Sequence, residues 1–137
     1  MFSKTNLIST LVGAIWAYFG GWLLWGILGS SLFQVTSETP ADQPHLIIAC
    51  VISAFAFSTI YSKLSGAHSS SHGATFGLWV GIFIGFGERW FDYAFRDGAV
   101  PERVLSDAIT SGILNIVFFV VLGVLVSLVY SKNSKAA

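Results

Sequence analysis

Glu88, Arg89, Asp92 and Arg96 stand close together at the end of an apolar stretch. At about 100° per residue they fall within roughly a 100° arc of one helix. Asp107, Ser111 and Asn115 follow at i, i+4 and i+8, which is again one helical face. Two kinds of chemistry suit this pattern. The charges can pair with one another and fix helix register, or a carboxylate such as Glu88 can bind a proton, a cation or a small ligand in a wet cavity. An ionisable group at membrane depth is costly unless paired or hydrated, which marks the cluster as a candidate site under either reading. The acids Glu88, Asp92, Asp97, Glu102 and Asp107 outnumber the bases Arg89, Arg96 and Arg103, and that imbalance favours a site.

Other reactive residue types are sparse. His68 and His72 have a metal-compatible spacing, but they sit in a Ser/Gly stretch with no carboxylate or cysteine nearby in the sequence. A zinc site needs three or four ligands, so no metal is expected. His45 follows Pro44 and reads as an interfacial polar residue. The single cysteine, Cys50, excludes an internal disulfide and any Cys-only metal site. There is no Walker loop, nucleotide fingerprint, Ser-His-Asp order or zinc-protease helix. No catalytic residue and no cofactor are assigned.

The elements that position these groups follow from hydropathy. The chain has 137 residues, of which 54% are hydrophobic and 10% charged, against roughly 25% charged in an ordinary soluble domain. So short a chain cannot hide that much apolar surface from water. Apolar runs at about 7–33, 46–64, 74–95 and 104–130 are each long enough to cross a bilayer, which takes roughly 20 residues. They are continuous rather than alternating, so the spans are helices. The expectation is an all-α integral membrane four-helix bundle, up-down-up-down, forming one transmembrane domain over 1–137 with both termini on the same side. The first run far exceeds a signal-peptide core of about 7–15 residues and is read as a retained span.

Lys4, Lys63, Lys132 and Lys135 lie on the side of the termini. Arg96 and Arg103 lie on the other side with Glu38, Asp42, Asp97 and Glu102. The positive-inside rule then places both termini in the cytoplasm. Net charge is zero, so the chain has no electrostatic footprint for nucleic acid.

Glycine spacing adds a packing signal. Gly73, Gly77, Gly81 and Gly85 recur every four residues, and Gly13, Ala17 and Gly21 form a shorter stripe. Small residues on one face let membrane helices approach closely. The stripes serve either packing within the bundle or contact with another chain. Glu88 and Asp92 continue the glycine face and so point toward protein. Trp22, Trp25, Trp90 and Tyr93 suit an interfacial aromatic belt, while Trp16 and Trp79 read as deeper packing residues. Gly20 and Trp25 align with Gly85 and Trp90, a trace of internal repetition.

In Gly20-Gly21-Trp22-Leu23-Leu24-Trp25-Gly26, in the glycine-rich third helix from Gly73 to Gly87 and in the hydrophobic fourth helix, the chain resembles small four-helix membrane proteins of bacteria grouped as a domain of unknown function. The resemblance implies a bacterial inner-membrane protein and assigns no catalytic residue. The leading expectation is a non-enzymatic protein that acts by association in the lipid bilayer, as a homo-oligomer or as an accessory subunit of a larger membrane complex. A small transporter or channel component using the cluster around Glu88 is the first alternative. The second is an intramembrane enzyme on a lipid or quinone, with Asp92 or Asp107 as acid/base.

Overall fold

The computed structural model describes residues 2–28, 42–64, 68–88 and 105–136. They form four helices, with no strand among the described residues. Helix α1 runs Lys4–Gly21 and continues as a π-helical stretch, Trp22–Leu28; α2 is Gln43–Leu64. Helix α3 runs Ser70–Ile82 and likewise continues π-helically over Phe83–Glu88; α4 is Leu105–Ala136. Three segments are long and apolar enough to cross a membrane: Lys4–Leu28, Gln43–Lys63 and Ala108–Asn133. The expected span at 74–95 corresponds to α3, and its part beyond Glu88 lies outside the described residues.

Polar residues ahead of the apolar runs start the helices early. Ser3 caps α1 by accepting the Asn6 N–H (3.1 Å). Asp42 accepts the His45 N–H through Oδ1 (3.3 Å) and the Leu46 N–H through its carbonyl (2.9 Å). Its other carboxylate oxygen lies 3.0 Å from His45 Nδ1. Pro44 falls in the first turn of α2, where a missing N–H removes no helical bond. Ser69 caps α3 by accepting the His72 N–H (3.1 Å). Helix α3 therefore begins inside the Ser/Gly stretch that carries His68 and His72, because a serine cap supplies what glycine and serine lack in helix propensity.

The tightest seam joins α3 to α4. Gly73, Gly77, Gly81 and Gly85 meet, in turn, Gly123, Phe119, Ile116 and Gly112, so the two helices are matched in reverse residue order. A Cβ placed on Gly81 would lie 2.7 Å from the Ile116 Cα. One on Gly77 would lie 2.6 Å from the Phe119 carbonyl carbon and overlap its oxygen. These are backbone atoms, which cannot step aside as a side chain can. The long glycine stripe thus faces α4 within the same chain.

The shorter stripe divides. Gly13 is buried between α2 and α4, its Cβ position 3.1 Å from both Ala54 Cβ and Leu122 Cδ1. Gly21 has nothing within 4 Å. Helix α2 reaches α3 and α4 through rings: Phe57 packs on Phe76 and Phe119 with centroids 5.0 and 6.0 Å apart, and Tyr61 packs on Phe76 and Tyr130. Leu122 and Val126 complete this core.

Trp16 stacks on Phe118 (5.9 Å), and its indole N–H donates to the Phe118 carbonyl at 3.0 Å. Trp79, read as a deeper packing residue, is 65% exposed. It sits two residues after Gly77, on the side of α3 turned away from the seam. Trp16→Phe removes a donor without orphaning the carbonyl, which keeps its helical bond. The expected loss is about 1 kcal/mol, read as a lowered midpoint in detergent unfolding.

Candidate functional site

Of the seven residues in the sequence-derived cluster, Arg89, Asp92 and Arg96 lie outside the described residues, as does the Asp107 side chain. Glu88 is exposed and forms the last described position of the π-helical stretch. Ser111 is half-buried and Asn115 buried. Asn115 Nδ2 donates to the Ser111 carbonyl at 2.8 Å, with Ser111 Oγ 3.5 Å away. Both contacts run to the residue four positions back in the same helix, a local arrangement that satisfies the amide without a ligand. Gly85 makes room for Asn115, whose Cβ is 2.7 Å from the Cβ position of that glycine.

A second polar cluster lies about four turns further along α4, at 1.5 Å rise per residue. Its hub is Asn6, 2% exposed in the first turns of α1. Asn6 Nδ2 donates to Thr59 Oγ1 on α2 at 3.0 Å. Asn6 Oδ1 accepts from Ser58 Oγ on α2 and from the Tyr130 hydroxyl on α4, the latter at 3.2 Å. Ser58 Oγ and the Tyr130 hydroxyl are themselves 3.4 Å apart. Thr10 Oγ1 donates to the Asn6 carbonyl at 2.7 Å.

His68, just ahead of α3, extends the group. Its Nδ1 lies 3.3 Å from the Tyr61 hydroxyl, and its ring stacks on Tyr130 at 5.1 Å. Asn6, Ser58, Thr59, Tyr61, His68 and Tyr130 therefore join all four helices at one end of the bundle. His68 and His72 do not form a pair on one helical face: His68 precedes the helix and is packed among rings, whereas His72 is exposed in its first turn.

Around Asn6 the network is made of amide and hydroxyl groups. Ser58 donates to an amide oxygen, which is too weak a base to activate a nucleophile. Each amide atom of Asn6 is matched by a hydroxyl, so the network specifies which helices meet. Ser9 Oγ, also on α1, is buried without a hydrogen-bond partner among the described residues. Among the described residues no three His, Cys, Asp or Glu side chains come together.

Spacing did not reveal this cluster, because each member looks like a lone polar residue in an apolar run. The available signal was depth. Asn6 stands two residues after Lys4, Ser58 five before Lys63 and Tyr130 two before Lys132, so all three lie at similar distances from the lysine-bearing ends. No protein-family model, no curated protein and no solved structure matches the chain.

Proposed function

We propose that the chain is a non-enzymatic multi-pass membrane protein that works by association, as a homo-oligomer or as an accessory subunit of a larger membrane complex. One observation carries this reading. Across the described residues the interior is filled by rings, by backbone-to-backbone contact and by polar groups that, Ser9 Oγ apart, are hydrogen-bonded within the protein. Between the Asn6 network and Asn115 the buried side chains of α4 are Leu122, Phe119 and Val126, with Ser127 turned onto its own helix (2.7 Å to the Val124 carbonyl). Such an interior supports packing rather than passage. The outer faces of α1 and α2 carry exposed Leu11, Ile15, Phe19, Ile47 and Ile52, which suit lipid or other membrane helices.

The same reading takes the bundle as up-down-up-down in a bacterial inner membrane with both termini cytoplasmic. The support is that Lys4, Lys63 and Lys132 lie close in sequence to the Asn6 network that joins one end of every helix. Extraction in mild detergent followed by native mass measurement tests the proposal. A defined homo-oligomer, or larger proteins in fixed ratio, is the expected outcome; a lone monomer with no partner in native membranes would overturn it.

A transporter or channel role is favoured by one observation. Helix α3 turns π-helical over Phe83–Glu88, and π-helical turns are frequent at functional sites. On that reading the wild type conducts protons or cations in proteoliposomes and Glu88→Gln abolishes the flux. On the association reading neither protein conducts.

A further inference from the structure

Helix α2 ends in Ser58-Thr59-Ile60-Tyr61-Ser62-Lys63, and α4 carries Ser127-Leu128-Val129-Tyr130-Ser131-Lys132. The serines, the tyrosine and the lysine recur in identical spacing. The same register brings Ile47 and Val51 onto Ile116 and Val120. Burial, which owes nothing to residue identity, agrees with it. Among the described side chains of α2 the buried ones are Cys50, Ala54, Phe57, Ser58 and Tyr61, and each falls on a buried residue of α4. The two helices thus present the same face at the same height.

The helices that precede them match as well. Ala54 meets Gly13 of α1, and its counterpart Gly123 meets Gly73 of α3. That pairing sets Gly13, Ala17 and Gly21 against Gly73, Gly77 and Gly81, and Trp16 against Phe76. Both helices turn π-helical just beyond, at Trp22 and at Phe83. Unlike the match of Gly20 and Trp25 with Gly85 and Trp90, this register rests on contacts.

Contacts between the two halves are reciprocal. Trp16 of the first hairpin stacks on Phe118 of the second, and its counterpart Phe76 packs on Phe57 and Tyr61 of the first. Asn6, at the start of the first hairpin, accepts from the Tyr130 hydroxyl at 3.2 Å. His68, at the start of the second, lies 3.3 Å from the Tyr61 hydroxyl. The two tyrosine rings meet between the halves with centroids 5.6 Å apart. Contact in which each half gives the other the same element is the mark of a two-fold, self-complementary interface. His68 lies near, not at, the position matched to Asn6, because it precedes α3 and helical register does not bind it.

We propose that the chain is one helix hairpin used twice, α1–α2 and α3–α4. The face of α2 and α4 that carries the tyrosines is then a single pairing surface. Its partner is a second hairpin of the same kind, which the chain supplies from its own other half. His68 is the second half's counterpart of Asn6, a positioning residue for Tyr61. The proposal is independent of the association reading, because a face consumed within one chain is not free to join two.

Denaturant unfolding and native mass of the full chain in detergent test it together. Tyr61→Phe and Tyr130→Phe lower the unfolding midpoint by similar amounts. His68→Ala lowers it too and about halves the cost of Tyr61→Phe, since partners in one contact are coupled. His68→Asn sets an amide where the imidazole Nδ1 stood, as Asn6 does for Tyr130, and recovers about half of the His68→Ala loss. His72→Ala, at an exposed position of the same stretch, leaves the midpoint unchanged. Native mass stays at the wild-type value in every variant, whether that value is a monomer or an oligomer. An unchanged midpoint in His68→Ala, no recovery in His68→Asn, or strict additivity of His68→Ala with Tyr61→Phe would each overturn the proposal. A fall in native mass would overturn it as well, by placing the tyrosine face between chains. If His68→Ala does not fold, the comparison of Tyr61→Phe with Tyr130→Phe decides it.

Discussion

Gly77→Val is expected to prevent the α3–α4 seam from closing and to leave little folded protein. The Cβ position of Gly77 overlaps the Phe119 carbonyl and lies 2.9 Å from the Val120 Cα. Backbone atoms line that side, so relief requires the two helices to move apart. Separation would also open the contacts at Gly73, Gly81 and Gly85, because all four glycines share one seam. Overpacking in ordinary cores costs about 1–3 kcal/mol. Even Gly77→Ala should reach the top of that range, and the branched valine should exceed it. Gly21→Ala is the matched control, since its added methyl meets open space. It should leave stability unchanged or slightly raised, as alanine holds a helix better than glycine. Denaturant titration in detergent, with the three proteins side by side, measures the contrast. Equal loss at Gly77 and Gly21 would mean that helix propensity, not the seam, sets the effect.

The second large effect is expected at Asn6. Asn6→Ala strips Ser58, Thr59 and Tyr130 of their common partner while leaving their hydroxyls at the same end of the bundle. Three bonds at about 0.6 kcal/mol each, the average found for such bonds between membrane helices, give about 2 kcal/mol. Orphaned buried groups raise the figure toward 3 kcal/mol. Tyr130→Phe removes one of the three and should cost about 1 kcal/mol. Combined with Asn6→Ala it should show a coupling of about 0.5–1 kcal/mol, because the partners touch. Strict additivity in that cycle would mean that the Asn6–Tyr130 bond contributes nothing to stability.

The four helices, and the three apolar enough to cross a membrane, were legible because hydropathy is a local property that each run carries by itself. The glycine stripe was legible as a face made for close approach. Its partner was not, since Gly112 and Gly123 of α4 show no stripe of their own. Gly13, Ala17 and Gly21 share a spacing but not a role, because spacing fixes the face of α1 and not the angle at which α2 leaves it. The exposure of Trp79 was hidden for a related reason: depth along a helix says nothing about which side of it meets its neighbours. The Asn6 network was illegible because its members come from distant parts of the chain and carry no charge to draw attention. For the cluster around Glu88, Ser111 and Asn115 pair locally, and the remaining partners lie outside the described residues.

The hydrogen bond between Asn6 and Tyr130 spans 124 positions of sequence. It therefore cannot form until residue 130 has left the ribosome, long after α1 has been made. Ser58 and Thr59 of α2 reach Asn6 earlier in synthesis, so Tyr130 completes a partnership that α1 and α2 can already have begun. Closing the bond is the step that marks the bundle as complete. A chain cut short before Tyr130 would keep the Ser58 and Thr59 bonds to Asn6 and lose only the tie from α4.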